Sequence, residues 1–274
     1  MSSLTAVPTG TQFAQSADGT RIAYEAIGTG PALVIVEGAF CYRELGVGRD
    51  LAPALADRFT VFTYDRRGRG ESGDTAPYDP EREIEDLAAV VGAAGGSAHA
   101  FGCSSGAALL LRAAQAGLPI DRVVLYEAPF ILDGTHAPND PDLPARVRAL
   151  VAEDRRGDAV KLFMRVVGAP APFITLMRVM PAWKKLTGAA HTLGNDLQIV
   201  NADQQGVPLA AGRFAGVEQA TVVIAGGKSP QYMRNAQARI AEALPDGELV
   251  TLPGQSHMVK AKVTAPVVAA HLQG

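Results

Sequence analysis

Apolar and polar positions along the chain follow two alternating rhythms. Two segments with a two-residue alternation, Thr11 to Ala17 and Arg21 to Ile27, flank Asp18-Gly19. That dipeptide favours the positive φ angles of a tight turn, so the chain is expected to open with antiparallel strands. After Gly28-Thr29-Gly30-Pro31 comes Ala32-Leu33-Val34-Ile35-Val36, apolar on both faces and therefore read as a strand in the middle of a sheet. A helical pattern follows from about Glu44 to Ala56. The rhythm then repeats as strand Thr60 to Tyr64, helix Glu81 to Ala94, strand Ala98 to Gly102, helix Ser104 to Ala116 and strand Arg122 to Tyr126. Strands alternating with helices predict an α/β fold: a mostly parallel central sheet of about eight strands with helices on both faces.

From about Leu132 to Ala215 the rhythm breaks. Prolines are frequent, a helical stretch runs from Ala145 to Met180, and no strand pattern is visible. The expectation is a core domain built from residues 1–131 and 216–274 with a helical cap, 132–215, inserted into it. A strand pattern returns at Ala220 to Ala225, followed by helix Pro230 to Leu244, strand Glu248 to Leu252 and helix Val263 to Leu272. The alanine-rich helices follow from helix propensity and need no functional reason.

Composition narrows the function class. Of 274 residues 47% are hydrophobic and 19% charged, which fits a folded globular protein. A net charge of −3 without a concentrated basic patch gives no reason to expect nucleic acid. The cluster Asp65-Arg66-Arg67-Gly68-Arg69 reads as a loop tied down by ion pairs or backbone contacts. Two cysteines, Cys41 and Cys103, are too few for a disulfide-stapled scaffold and read as free thiols. Met1 to Pro8 lacks a basic start followed by an apolar stretch, and no apolar run approaches spanning length. The expectation is therefore a cytoplasmic protein with a small-molecule substrate and no nucleic-acid or membrane partner; a homodimer is left open.

The chemistry is carried by Gly102-Cys103-Ser104-Ser105-Gly106, which fits Gly-x-Ser-x-Gly. An apolar strand ends at Gly102 and a helix begins after Ser104, the strand-turn-helix setting in which this pentapeptide exposes a nucleophilic serine. A plain N-cap serine is the alternative. A serine nucleophile needs a general base, and five histidines are available. His99 lies inside a strand, His136 and His191 lie in the expected cap, and His271 lies deep in the last helix. His257, in Gly254-Gln255-Ser256-His257, follows the last strand, where a loop would carry it to the carboxyl ends of the strands.

The serine turn, the segment Asp65-Arg66-Arg67-Gly68-Arg69-Gly70-Glu71-Ser72-Gly73 and the late Gly-Gln-Ser-His together resemble the α/β-hydrolase superfamily, over nearly the whole chain. The resemblance implies that Glu37-Gly38-Ala39-Phe40 corresponds to the usual His-Gly-x-x loop. By it, the oxyanion hole would use the N–H of Ala39, or of Phe40 as near alternative, with that of Ser105. Glu37 stands where histidine is common; since the hole uses backbone groups, Glu37 reads as structural.

In that superfamily the acid most often follows the seventh strand, but Gly226-Gly227-Lys228-Ser229-Pro230 holds no carboxylate. Glu127, at the end of the sixth strand, occupies a position that some members use. Asp196 and Asp203 are weaker candidates, and Ser229 could support His257 by a neutral hydrogen bond. Phe163, Met164, Phe173, Met177, Met180 and Trp183 could line an apolar substrate pocket or pack the cap itself. No metal constellation and no phosphate or dinucleotide loop appears, so no cofactor is expected. The reading is a serine hydrolase acting on a carboxylic ester, or a thioester, of a small to medium apolar substrate. A non-catalytic ligand-binding or cyclase-type protein is the alternative, supported by the missing acid alone.

Overall fold

The computed structural model describes residues 10–274. The stretch Met1 to Pro8, read above as lacking a leader pattern, lies outside them. Strands β1 (Gln12–Gln15) and β2 (Arg21–Gly28) form the expected hairpin, closed by Ser16 and Thr20 with Gly19 at φ 85°. Then come β3 (Ala32–Val36), α1 (Gly48–Leu55), β4 (Thr60–Tyr64), α2 (Pro80–Ala93), β5 (Ala98–Cys103), α3 (Ser105–Gln115) and β6 (Ile120–Tyr126).

Residues between β6 and the next strand supply α4 (Leu143–Ala152), α5 (Arg156–Val166), α6 (Ala171–Met177), α7 (Ala182–Gly188) and α8 (Leu193–Val200). The chain ends with β7 (Thr221–Gly226), α9 (Gln231–Ala243), β8 (Gly247–Leu252) and α10 (Ala261–Gln273). One eight-stranded sheet runs in the order β1-β2-β4-β3-β5-β6-β7-β8. The pairs from β4 onward are parallel, and β2 meets β4 antiparallel.

Two apolar layers cover the sheet. On one face Leu87, Leu109, Leu110 and Ile240 bring α2, α3 and α9 against Val34, Val123 and Val223. On the other, Leu51, Leu55, Val268 and Leu272 bring α1 and α10 against Leu33, Phe101 and Val222. Alternate residues of the central strands feed opposite layers, which is why those strands read as apolar throughout. The helices α4–α8 enclose a third cluster around Leu143, Val147, Val160, Met164, Leu193 and Leu197, with Ala39 and Phe40 packed against it. Among the described residues no helix is long and apolar enough to cross a membrane.

The helix expected from Glu44 begins at Gly48. Tyr42 and Leu45 exchange backbone hydrogen bonds in a tight turn, and the Glu37 carboxylate accepts the N–H groups of Val47 (3.0 Å) and Gly48 (2.7 Å). A buried acid 11 residues upstream of Gly48 thus satisfies two donors at the start of α1, and fixes where the helix begins.

Candidate active site

The turn from β5 into α3 holds Ser104 at φ 55°, ψ −127°, conformationally costly for any residue with a side chain. Tight packing maintains it. The Ser104 N–H donates to the Tyr126 carbonyl (2.9 Å), and a Cβ at Gly106 would lie 2.3 Å from the Val36 carbonyl oxygen. At Gly38 a Cβ would come within 3.0 Å of Ser104 Cβ, so the loop after β3 sits directly on the serine turn. Four non-glycine residues have positive φ among the described residues, and three, Phe40, Ser104 and Glu127, belong to this site.

The loop after β8 carries His257 to the same end of the sheet. Tyr126 donates its hydroxyl to Ser256 O (2.7 Å) and the Lys228 N–H donates to Gln255 O (2.7 Å), fixing that loop. His257 Nε2 lies 3.1 Å from Ser104 Oγ. Its Nδ1 lies 2.9 Å from Oε2 of Glu127, whose side chain is fully buried at the end of β6. The other oxygen, Oε1, accepts the Gly226 N–H (2.7 Å). With Nδ1–H directed at the carboxylate, Nε2 is left as an acceptor facing the serine hydroxyl.

None of the rival supports is hydrogen-bonded to His257. Asp203 pairs with Arg213 (3.2 Å), and the Ser229 hydroxyl makes no hydrogen bond among the described residues. Asp196, on α8, accepts from Arg66 (2.8 Å), Arg69 and the Ser105 hydroxyl (2.7 Å). Of the other histidines, His99 packs edge-on against Phe59, His191 contacts the Gly68 carbonyl and His271 the Ala220 carbonyl. His136 lines the cavity above Ser104, 4.3 Å from the Tyr232 ring centroid.

The N–H groups of Ala39 and Ser105 make no hydrogen bond among the described residues, and both residues line the same cavity as Ser104. Phe40 has φ 65° and packs its ring edge-to-face against Phe163 (centroids 5.1 Å apart). The carbonyls on this loop are held from below. Arg66 donates to Glu37 O (3.1 Å) and Arg69 to Gly38 O (2.7 Å), and both guanidinium groups share Asp196. Arg66 also makes two bonds to Glu83 (2.6 and 2.7 Å). Because a peptide unit is planar and trans, holding Gly38 C=O orients the Ala39 N–H.

Burial pushes the Glu37 carboxyl above its ordinary pKa despite two backbone donors. For Asp196 burial acts in the same direction but is outweighed by Arg69 and Arg66 and the Ser105 hydroxyl, which leave it below the ordinary aspartate value. The tie-down expected of Arg66 is thus part of a larger network, and Asp196 is its bridge. Only one sequence signal pointed there: Asp196 is the single charged residue of α8.

The cavity of about 140 Å³ is walled by Ile131, Phe163, Val166, Leu197, Val200 and Met233, with Asn139, Gln204 and Tyr232 as polar edges. Of the six side chains proposed for an apolar pocket, Phe163 lines it. Met164 is buried among the helices, Met177 and Trp183 pack against the same cluster, and Phe173 and Met180 are exposed.

A sequence model of the alpha/beta hydrolase family matches residues 33–261. The chain belongs to that family. This hydrolase is similar to a crystallised alpha/beta hydrolase from Sphaerobacter thermophilus, at 44% identity and a TM-score of 0.87, covering 95% of this chain and all of that one. A bromoperoxidase from Bacillus anthracis (20% identity, TM-score 0.73, 97% of this chain and 100% of that chain) has the same fold. So has an esterase from Exiguobacterium antarcticum (16% identity, TM-score 0.71, 97% of this chain and 100% of that chain). No curated protein matches the hydrolase in sequence.

Proposed function

We propose that this hydrolase cleaves a carboxylic ester of a small to medium apolar substrate through an acyl-enzyme on Ser104. The observation that carries the reading is the relay from Ser104 Oγ to His257 Nε2 (3.1 Å) and from His257 Nδ1 to Glu127 (2.9 Å), set on a serine at positive φ.

Ser104 Oγ attacks the acyl carbon while His257 Nε2 takes its proton, and Glu127 keeps the imidazole in the required tautomer and stabilises its charge. The ester oxygen leaves as an alcohol with that proton. Water, deprotonated by the same His257, then releases the acid and restores Ser104. The developing oxyanion is received by the Ala39 and Ser105 N–H groups, the latter at the N-terminus of α3. Asp196 is a positioning residue in this scheme, since it holds Ser105 and, through Arg66 and Arg69, the peptide units before Ala39. Helices α4–α8 act as a cap, residues 132–215, and the small apolar cavity beneath them favours short acyl groups over long ones. The carboxylate-free loop after β7 was the ground for a non-catalytic reading, and the Glu127–His257 contact supports the catalytic one.

The test is labelling with a fluorophosphonate. Modification of Ser104 that vanishes in Ser104→Ala, together with turnover of p-nitrophenyl esters that declines with acyl length, is expected. An unlabelled Ser104 in folded protein would overturn the reading.

A further inference from the structure

Five of the large apolar side chains left exposed on the described surface fall within residues 167–180: Val167, Phe173, Leu176, Val179 and Met180. Helix α6 turns Ile174 inward and shows Phe173 and Leu176, three residues apart and on one face, to solvent. Val179 is 81% exposed, more than any other of these. Isolated exposed apolar residues are ordinary, but a contiguous set marks a contact surface.

Charge says what kind of surface. Residues 159–195 contain five Lys and Arg and no Asp or Glu, leaving 20 basic against 28 acidic residues elsewhere. Lys161 pairs with Asp158. Arg165, Arg178, Lys184 and Lys185 are exposed and form no ion pair among the described residues. Exposed apolar side chains interspersed along the chain with unpaired cations fit an anionic, apolar-cored surface. They do not fit a second copy of this chain, because a two-fold contact would set the four cations against themselves.

We propose that the α6–α7 face docks on the surface of an anionic lipid bilayer. Phe173, Leu176, Val179 and Met180 enter the apolar boundary, and Arg178, Lys184 and Lys185 meet the headgroups. Lying on such a surface requires no spanning segment. Val167, at the end of α5 and a few residues before α6, is 55% exposed and also lines the cavity above Ser104, which brings the segment leading into the docked face to the site.

The test is sedimentation of the full chain with vesicles, and it reads binding without reference to Ser104. Phosphatidylcholine vesicles carrying roughly 30% phosphatidylglycerol should pellet the protein at low salt, and phosphatidylcholine alone should not. The partition should fall about tenfold or more in high salt, in Phe173→Ser/Leu176→Ser and in Lys184→Glu/Lys185→Glu. Turnover of a soluble short-chain ester should be unchanged in both variants, which certifies their folding. Three results would overturn the proposal: no pelleting with anionic vesicles, equal pelleting by wild type and both double variants, or a lipid-free dimer that Phe173→Ser/Leu176→Ser dissolves.

Discussion

Glu127 Oε2 lies 2.9 Å from His257 Nδ1 across a separation of 130 residues, while Gly226, the last residue of β7, donates its backbone N–H to the other oxygen of the same carboxylate. The carboxylate that meets His257 thus stands at the end of β6, one strand inward of the loop after β7 where the resemblance to the superfamily led the acid to be expected.

Glu127→Gln keeps the shape of the side chain and puts an amide against His257. The kcat for a soluble ester should fall on the order of 10³-fold or more, with thermal stability changed little, because the imidazole loses its preferred tautomer and its counter-charge. Ser229→Ala should leave kcat at the wild-type level. The reverse pattern in steady-state kinetics would assign the support of His257 to Ser229.

Asp196 links two guanidinium groups to Ser105, so its removal should register on catalysis and on pH-dependent stability. Asp196→Ala strands buried charge and should cost about 3–5 kcal/mol. Asp196→Asn should lower kcat per fluorophosphonate-titratable site at least about tenfold with a smaller change in KM, a split that an unfolding defect alone would not give. Its folded pKa is depressed, so its contribution to stability is complete above the unfolded value of about 3.9 and disappears as pH falls through the folded value. The stability gap between wild type and Asp196→Asn should hold steady from neutral pH to about 5 and narrow below about 4. Denaturant melts at intervals of pH measure it, and a gap that is constant to pH 3 would contradict the assignment.

Glu37 accepts the N–H groups of Val47 and Gly48 at the start of α1 from a buried position. Glu37→Ala leaves two N–H groups without a partner and should destabilise the fold by about 1–3 kcal/mol for each stranded donor. Hydrogen exchange should localise the loss to residues 46–50. Uniform loosening of the sheet would point to some other role.

Both thiols should be unreactive in the native protein. Burial pushes Cys41 up to about 12, and Cys103 is raised well above the ordinary thiol value by burial and by the neighbouring Glu37 carboxylate. At pH 8 the thiolate is therefore scarce in each, and dithiobis-nitrobenzoate should release thionitrobenzoate only after denaturant is added. Rapid modification without denaturant would show that Cys41 is more open than its packing indicates.

Periodicity and one motif carried the fold and the meeting of Ser104 with His257. Apolar runs such as Ala32 to Val36 can be satisfied only inside a covered parallel sheet, and Gly102-x-Ser104-x-Gly106 leaves no room for side chains at its flanks because neighbouring backbone lies within van der Waals distance. Those requirements are local, so they are written in neighbouring residues. The same holds for His257, whose place after the last strand was enough to bring it to Ser104.

What tertiary structure decided is everything that depends on two distant segments meeting. That Glu127 and not Asp196, Asp203 or Ser229 faces His257 follows from the order of β6, β7 and β8 in the sheet, a relation that no local pattern encodes. Asp196 became the bridge of a buried network only because α8 packs over α3 and the loop after β4. Phe163 and Phe173 look alike in a helical pattern, yet one lines the cavity and the other faces water. Residue type fixes how costly burial or exposure is, whereas which side chains are buried, and against what partner, is set by the packing of helices from elsewhere in the chain.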